Sequence, residues 1–186
     1  MRTFTSGDLV SSNGALFSEC GAFRYGLWRE WDASLPTLVY LMLNPSTADH
    51  LMVDHTIVRC VLRAIALGFG RIEVANMYAL RATKPTALWK HADPVGPEND
   101  AYLARLFATH RDVVCAWGVH ARAERVSTVL ALTPSDVRLT CLGTTKGGAP
   151  RHPLYVRNQQ PLIEYVRGVQ PLNEHVQATQ PLQWSH

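Results

Sequence analysis

The 186-residue chain has no apolar run approaching the ~18 residues of a membrane-crossing helix, and its start, MRTFTSGDLV, lacks the apolar stretch of a signal peptide. A soluble, cytoplasmic protein with no membrane partner is the expectation. Cysteine is sparse. Cys20, Cys60, Cys115 and Cys141 are far apart and form no C-x-x-C pair, which argues against a zinc or iron–sulfur cage and leaves free core thiols. No metal and no cofactor is expected. Lysine is scarcer still, three against fifteen arginines at a net charge of +3, so any phosphate recognition falls mainly to guanidinium groups. The TKGGAP stretch lacks a G-K-[ST] ending, and no G-x-S-x-G elbow occurs. Triphosphate hydrolysis on a phosphate loop and a Ser–His–Asp hydrolase are both excluded as leading readings.

What is present is a globular composition, 47% hydrophobic and 18% charged, at a length that favours one domain. Residues 14–31 alternate apolar and polar and read as a strand pair near a sheet edge. LPTLVYLML (35–43) is a near-continuous apolar strand of the kind buried on both faces. Helical spacing runs from Asp54 to Leu67 and stops at Gly68 and Gly70. RIEVANMYAL, DVVCAWG and DVRLTCLG read as further strands, with helices at PENDAYLARLFATH and ARAERVSTVLAL between them. This alternation predicts an α/β three-layer sandwich around a central, mostly parallel, four-stranded sheet. Residues 1–158 would form that domain, and 159–186 an appendage in which Gln-Pro-Leu recurs every ten residues.

In such sheets ligands lie beyond the carboxyl ends of the strands, and polar residues collect there. Asn44 ends the first buried strand in MLNPSTAD; it is either a turn-forming cap or a group presented to a ligand. Asn76 ends the next, followed by Tyr78 and Arg81. A buried Asn offers donors and an acceptor that complement a nucleobase edge, although a strand-end amide bonded to backbone has the same composition. Trp117 is either a ring platform or a core residue. In GTTKGGAPRHPLY, Thr144, Lys146 and Arg151 supply hydroxyl and charge, and His152 before a proline could polarise a departing anion or bind phosphate. Ser46 and Thr47 add hydroxyls at the same rim. Asp49 and Asp54 are the nearby carboxylates; Asp54 is equally placed to cap the helix it precedes.

In this order the segments MLNPS, VANMYALRAT, VVCAWG and HPLY resemble the motifs of the uracil-DNA glycosylase superfamily over residues 36–156. At closer range, the strings RYGLWREWD, MLNPSTAD, YALRAT, DPVGPEND and PRHPLY resemble a bacterial family of uncharacterised domains over roughly 15–157. The first resemblance implies a uracil-DNA glycosylase-like fold and a monofunctional DNA glycosylase, which flips a base out of DNA and hydrolyses its N-glycosidic bond to leave an abasic site. It implies that His152 would bond the departing base, Asn76, Tyr78 and Trp117 would read or stack it, and Asn44 would place water. Ser46, Thr47, Arg81, Thr144, Lys146 and Arg151 would hold DNA phosphates.

One departure matters. The more active glycosylases carry Asp where this chain has Asn44, and an amide cannot serve as a carboxylate base; members with Asn keep the activity in kind, and Asp49 and Asp54 lie close enough along the chain to supply a carboxylate. The small residues after Asn44 leave room for a bulky substituent. The expected partner is therefore DNA containing a modified base, including the hypermodified bases of phage, which would suit antiviral defence. Two rivals remain open: a hydrolase of free modified nucleosides or nucleotides, and a nucleic-acid-binding module without catalysis.

Overall fold

The computed structural model describes residues 1–7, 12–46 and 54–166. In chain order its strands are β1 (Arg2–Gly7), β2 (Ser12–Phe17), β3 (Arg24–Glu30), β4 (Thr37–Met42), β5 (Arg71–Asn76), β6 (Asp112–Cys115), β7 (Arg138–Cys141) and β8 (Ile163–Glu164). The helices are α1 (His55–Ala66), α2 (Pro85–Leu88), α3 (Asn99–Thr109) and α4 (Ala123–Ala131), with 3₁₀ turns at Gly118–His120 and Pro153–Tyr155.

All eight strands join one sheet in the order β1-β2-β3-β5-β4-β6-β7-β8. This overturns the expected central, mostly parallel, four-stranded sheet of a three-layer sandwich. The sheet is mixed, and four of its seven pairings are antiparallel: β1–β2, β2–β3, β3–β5 and β7–β8. The physical reason lies in the connections. Parallel neighbours need a crossover, and β4–β5, β4–β6 and β6–β7 are each spanned by helix-containing segments. No helix separates β1, β2 and β3, so they add antiparallel and extend the sheet instead of standing apart as a separate edge pair.

Strand alternation sends side chains to two cores. Leu38, Tyr40 and Met42 of β4 pack with Ile57, Cys60 and Ala64 of α1. Val39 and Leu41 face the other way, toward Leu103, Leu106 and Phe107 of α3 and Val129 of α4. β4 is thus covered on both faces, which accounts for its unbroken apolar run. On the α3 side Glu73 is buried, yet it is satisfied: the Tyr102 hydroxyl donates to it at 2.6 Å and Arg71 pairs with it at 2.9 Å.

Three of the four cysteines are buried, but Cys20 is exposed, so the expectation of core thiols holds only for Cys60, Cys115 and Cys141. Among the described residues no helix is long and apolar enough to cross a membrane. The first Gln-Pro-Leu copy, at 160–162, leads directly into β8 with Leu162 buried. The copies at 170–172 and 180–182 lie outside the described residues.

Candidate functional site

β4, β6 and β7 run parallel, so their carboxyl ends open on the same side of the sheet. A cavity of about 610 Å³ lies there. Its floor includes Met42 at the end of β4 with Leu43 and Asn44 after it, and one wall is Trp117, Gly118, Val119 and His120 after β6. The loop after β7 contributes Thr145, Arg151, His152 and Tyr155, while Thr83 and Pro85 close the remaining side.

Asn44 is fixed by the strand exits. Met77 N–H donates to the Met42 carbonyl at 2.8 Å and Tyr78 N–H to the Leu43 carbonyl at 2.9 Å, continuing the β4–β5 pairing past the strands. The Asn44 amide nitrogen then donates to Ala82 O at 2.8 Å and to Pro45 O at 3.0 Å. Both acceptors are carbonyls, so the hydrogen-bond network itself identifies the nitrogen. The amide oxygen is the group left for a ligand.

The loop after β7 folds back as a tight hairpin, with Thr145 N–H bonded to Ala149 O at 2.9 Å and Arg151 N–H to Gly143 O at 2.9 Å. Gly118, at φ +71°, takes the left-handed conformation that lets its N–H reach Pro150 O at 2.9 Å, tying the β6 exit to this hairpin. Arg151 donates from Nε to Thr144 O at 3.0 Å, which keeps its two terminal nitrogens for another acceptor. His152 begins the 3₁₀ turn, and its Nδ1 accepts from Leu154 N–H at 3.3 Å. Accepting there places the proton of the neutral ring on Nε2. Burial pushes the His152 pKa below its ordinary 6.5, and the Asp54 carboxylate opposes that shift only in part. The ring is therefore a neutral donor near pH 7.

The structure brings together Asn44, Trp117, Arg151 and His152 of the residues singled out by sequence. Trp117 is both wall and core: it is 3% exposed and meets Tyr165 edge-on at 5.3 Å. Asp54 caps α1 by accepting from Thr56 N–H at 2.8 Å, and its charge reaches His152, but it does not line the cavity.

Others sit elsewhere. Asn76 is 3% exposed and outside the lining; its carbonyl accepts from the Asn99 amide at 3.1 Å. Tyr78 packs edge-on against Trp89 and its hydroxyl accepts from Arg122 N–H at 3.2 Å. Arg81 lies over the Phe17 ring and donates to Gly21 O at 3.2 Å, beside the N-terminal strands. Thr144 and Lys146 are exposed on the hairpin without lining the cavity. Ser46 follows Asn44 with its hydroxyl buried and unpartnered among the described residues, and Thr47 and Asp49 lie outside them.

Sequence reasoning passed over Thr83, His120, Thr145 and Tyr155 as lining groups. Tyr155 had a readable signal, an aromatic ring three residues after His152 in a proline-containing loop. Thr83 and His120 had none, because only the tertiary pairing of their segments carries them to the cavity. Among the described residues no group of three or more His, Cys, Asp or Glu side chains could hold a metal ion.

Residues 24–154 match the model of a family described as "Protein of unknown function (DUF1643)". No curated protein and no solved structure matches the chain.

Proposed function

The chain belongs to the DUF1643 family, and we propose that it hydrolyses the N-glycosidic bond of a modified base in DNA. One observation carries this reading: a single cavity is lined by an amide whose donors are already used and by an imidazole whose acceptor is already used. What remains for a ligand is one acceptor, Asn44 Oδ1, and one neutral donor, His152 Nε2.

That pair suits the chemistry. The C1′–N bond breaks with its electron pair passing to the base, and the sugar becomes oxocarbenium-like. His152 Nε2–H donates to the base oxygen on which negative charge grows. Asn44 Oδ1 accepts from a water held for attack on the sugar carbon, and the proton released as water adds goes to solvent. Tyr155 offers ring surface for a flat base, and the edge of the packed Trp117 closes the wall behind it. The cavity lies within the ~300–1,000 Å³ that encloses drug-sized ligands, more than a bare pyrimidine ring fills, which favours a base bearing a substituent. Arg151 would take a phosphate next to the flipped nucleotide, with Thr144 and Lys146 exposed on the same hairpin. Asn76, Tyr78 and Arg81 have no part in this reading. It puts the protein in the cytoplasm beside the DNA it acts on, where removal of phage-type modified bases would be defensive.

The test is incubation with duplexes carrying 5-substituted pyrimidines and with plain duplex, followed by alkali. Scission confined to the modified positions is expected, and scission that is absent or equal on both refutes the assignment. Binding without scission would instead indicate a non-catalytic module. A second reading has its own support, because Arg151 is the one permanent charge among the described lining residues. Hydrolysis of a free modified nucleoside or nucleotide in the same cavity would need no long cationic track. Release of base from the free compound, unaffected by excess plain duplex, would identify it.

A further inference from the structure

The turn that carries His152 and Tyr155 is short, and its own hydrogen bonds are two: Tyr155 N–H to His152 O at 3.0 Å and Leu154 N–H to His152 Nδ1 at 3.3 Å. Its remaining carbonyls are gathered from outside. Arg59, on the second turn of α1, directs Nη1 at Pro153 O (3.3 Å), Leu154 O (3.3 Å) and Val156 O (2.9 Å). One helical turn later Arg63 donates to Arg157 O at 3.1 Å and to Gln160 O, holding the chain after the turn. No residue of α1 lines the cavity, so neither arginine touches a ligand there.

We propose that Arg59 is a positioning residue for this site, fixing the His152 imidazole and the Tyr155 ring at the cavity by gathering the carbonyls of the turn that bears them. A guanidinium suits the task because it is always charged and planar, and the two N–H groups of Nη1 are shared among the three carbonyls. A 3₁₀ turn of three residues has too few internal bonds to hold a ring in one orientation. Asp54 at the head of the same helix adds a charge that faces His152, so α1 sets both the place of the ring and its electrostatic surroundings. Among the described residues, the charged and titratable groups facing this turn are Asp54 and Arg59 from the α1 side, Arg59 through the turn's carbonyls, and His120, Arg151 and Tyr155 from the cavity side.

The importance of His152 to reaction rests on the glycosylase reading, but the clamp itself can be read without activity. The measurement is an NMR titration of the His152 ring, assigned with His152→Gln, in the wild-type protein, Arg59→Ala, Arg59→Lys and Arg63→Ala. In the wild type the ring shows the Nε2–H tautomer and titrates below 6.5. In Arg59→Ala the titration midpoint rises toward 6.5 and the tautomer signature weakens as the Leu154 bond loosens. Arg59→Lys, with a point charge that can reach part of the carbonyl set, moves in the same direction by less, while Arg63→Ala leaves the ring unmoved. An unchanged ring in folded Arg59→Ala, or an equal shift in Arg63→Ala, overturns the proposal. Where Arg59→Ala fails to fold, Arg59→Lys decides: a shift supports the clamp and its absence refutes it. A shifted ring with no base release by the wild type would keep the clamp and sink the glycosylase reading; base release with an unmoved ring would do the reverse.

Discussion

Asn44 and Ala82, 38 positions apart, are joined by a 2.8 Å hydrogen bond from the Asn44 amide nitrogen to the Ala82 carbonyl. Ala82 N–H returns a bond to Pro45 O at 2.9 Å, so the exit of β4 is stitched to the segment that follows β5. The residue at the head of the cavity is thus also a fastener. Its donors hold two pieces of backbone in place while its oxygen is left for a ligand.

The Asn44→Asp variant tests that double duty. It offers the carboxylate that a more active glycosylase would use, but it sets oxygen against the Ala82 and Pro45 carbonyls. We expect a loss of about 1–3 kcal/mol, the cost of leaving a buried acceptor unmet, and no gain in base release. Urea unfolding alongside the alkali assay measures both. Stability at or above the wild-type value would show that the amide donors are dispensable.

Among the described residues, two histidines make stability depend on pH near neutrality. Burial lowers the pKa of His152, opposed by Asp54, and that of His110, opposed by Glu73 but helped by Arg71. In each case the folded protein gives up a proton that the unfolded chain still holds near its ordinary 6.5. Their contribution is therefore complete above 6.5 and is lost as pH falls through the folded values. Urea midpoints are expected to fall between pH 7.5 and 5.5, and His110→Gln should flatten the dependence. A midpoint that rises on acidification would contradict both assignments.

Gly26 leaves room for the hydroxyl that satisfies the buried Glu73. A Cβ at Gly26 would collide with the Tyr102 hydroxyl, the group that donates to Glu73 at 2.6 Å. Tyr102→Phe should cost about 1.5–3 kcal/mol, the range for a hydrogen bond to a charged group. Gly26→Ala should cost about 1–3 kcal/mol by overpacking. The two are coupled, because removing the hydroxyl removes part of the clash, so the double variant should lose less than the sum. Strict additivity in denaturant unfolding would separate the two effects.

Local pattern made much of the scaffold legible. The helical spacing over 54–67 corresponds to α1 with Asp54 as its cap, and the apolar runs mark the strands that became β4, β5, β6 and β7. The sheet as a whole was not legible. β1, RTFTSG, is exposed along its length and has no apolar stripe, so its place depends on cross-strand pairing with β2 and not on periodicity. β8 is two residues long and exists only through its register with β7. The site divides the same way. Asn44 and His152 stand out because a polar group directly after a buried strand or before a proline is visible in one dimension. Asn76 looked equivalent, yet it meets a different environment, because the Asn99 amide fills the space at its strand end and donates to the carbonyls of Asn76 and Met77.

Tyr155 and Trp117 line one cavity but differ in what the fold demands of them. Trp117 is 3% exposed and packed on Tyr165, so its replacement by Ala should cost about 3–5 kcal/mol and confuse folding with binding. Tyr155 is 80% exposed, with its ring 5.7 Å from that of His152. Tyr155→Ala should therefore leave the urea midpoint within about 0.5 kcal/mol of the wild type, the usual range for a surface substitution. A base stacked on that ring would lose about 1–3 kcal/mol of binding, a factor of about 5 to 150. The expected result is a higher KM for base release on a fully folded enzyme. An unchanged KM would remove Tyr155 from the site, whereas a large fall in the urea midpoint would reveal a packing role that its exposure does not predict.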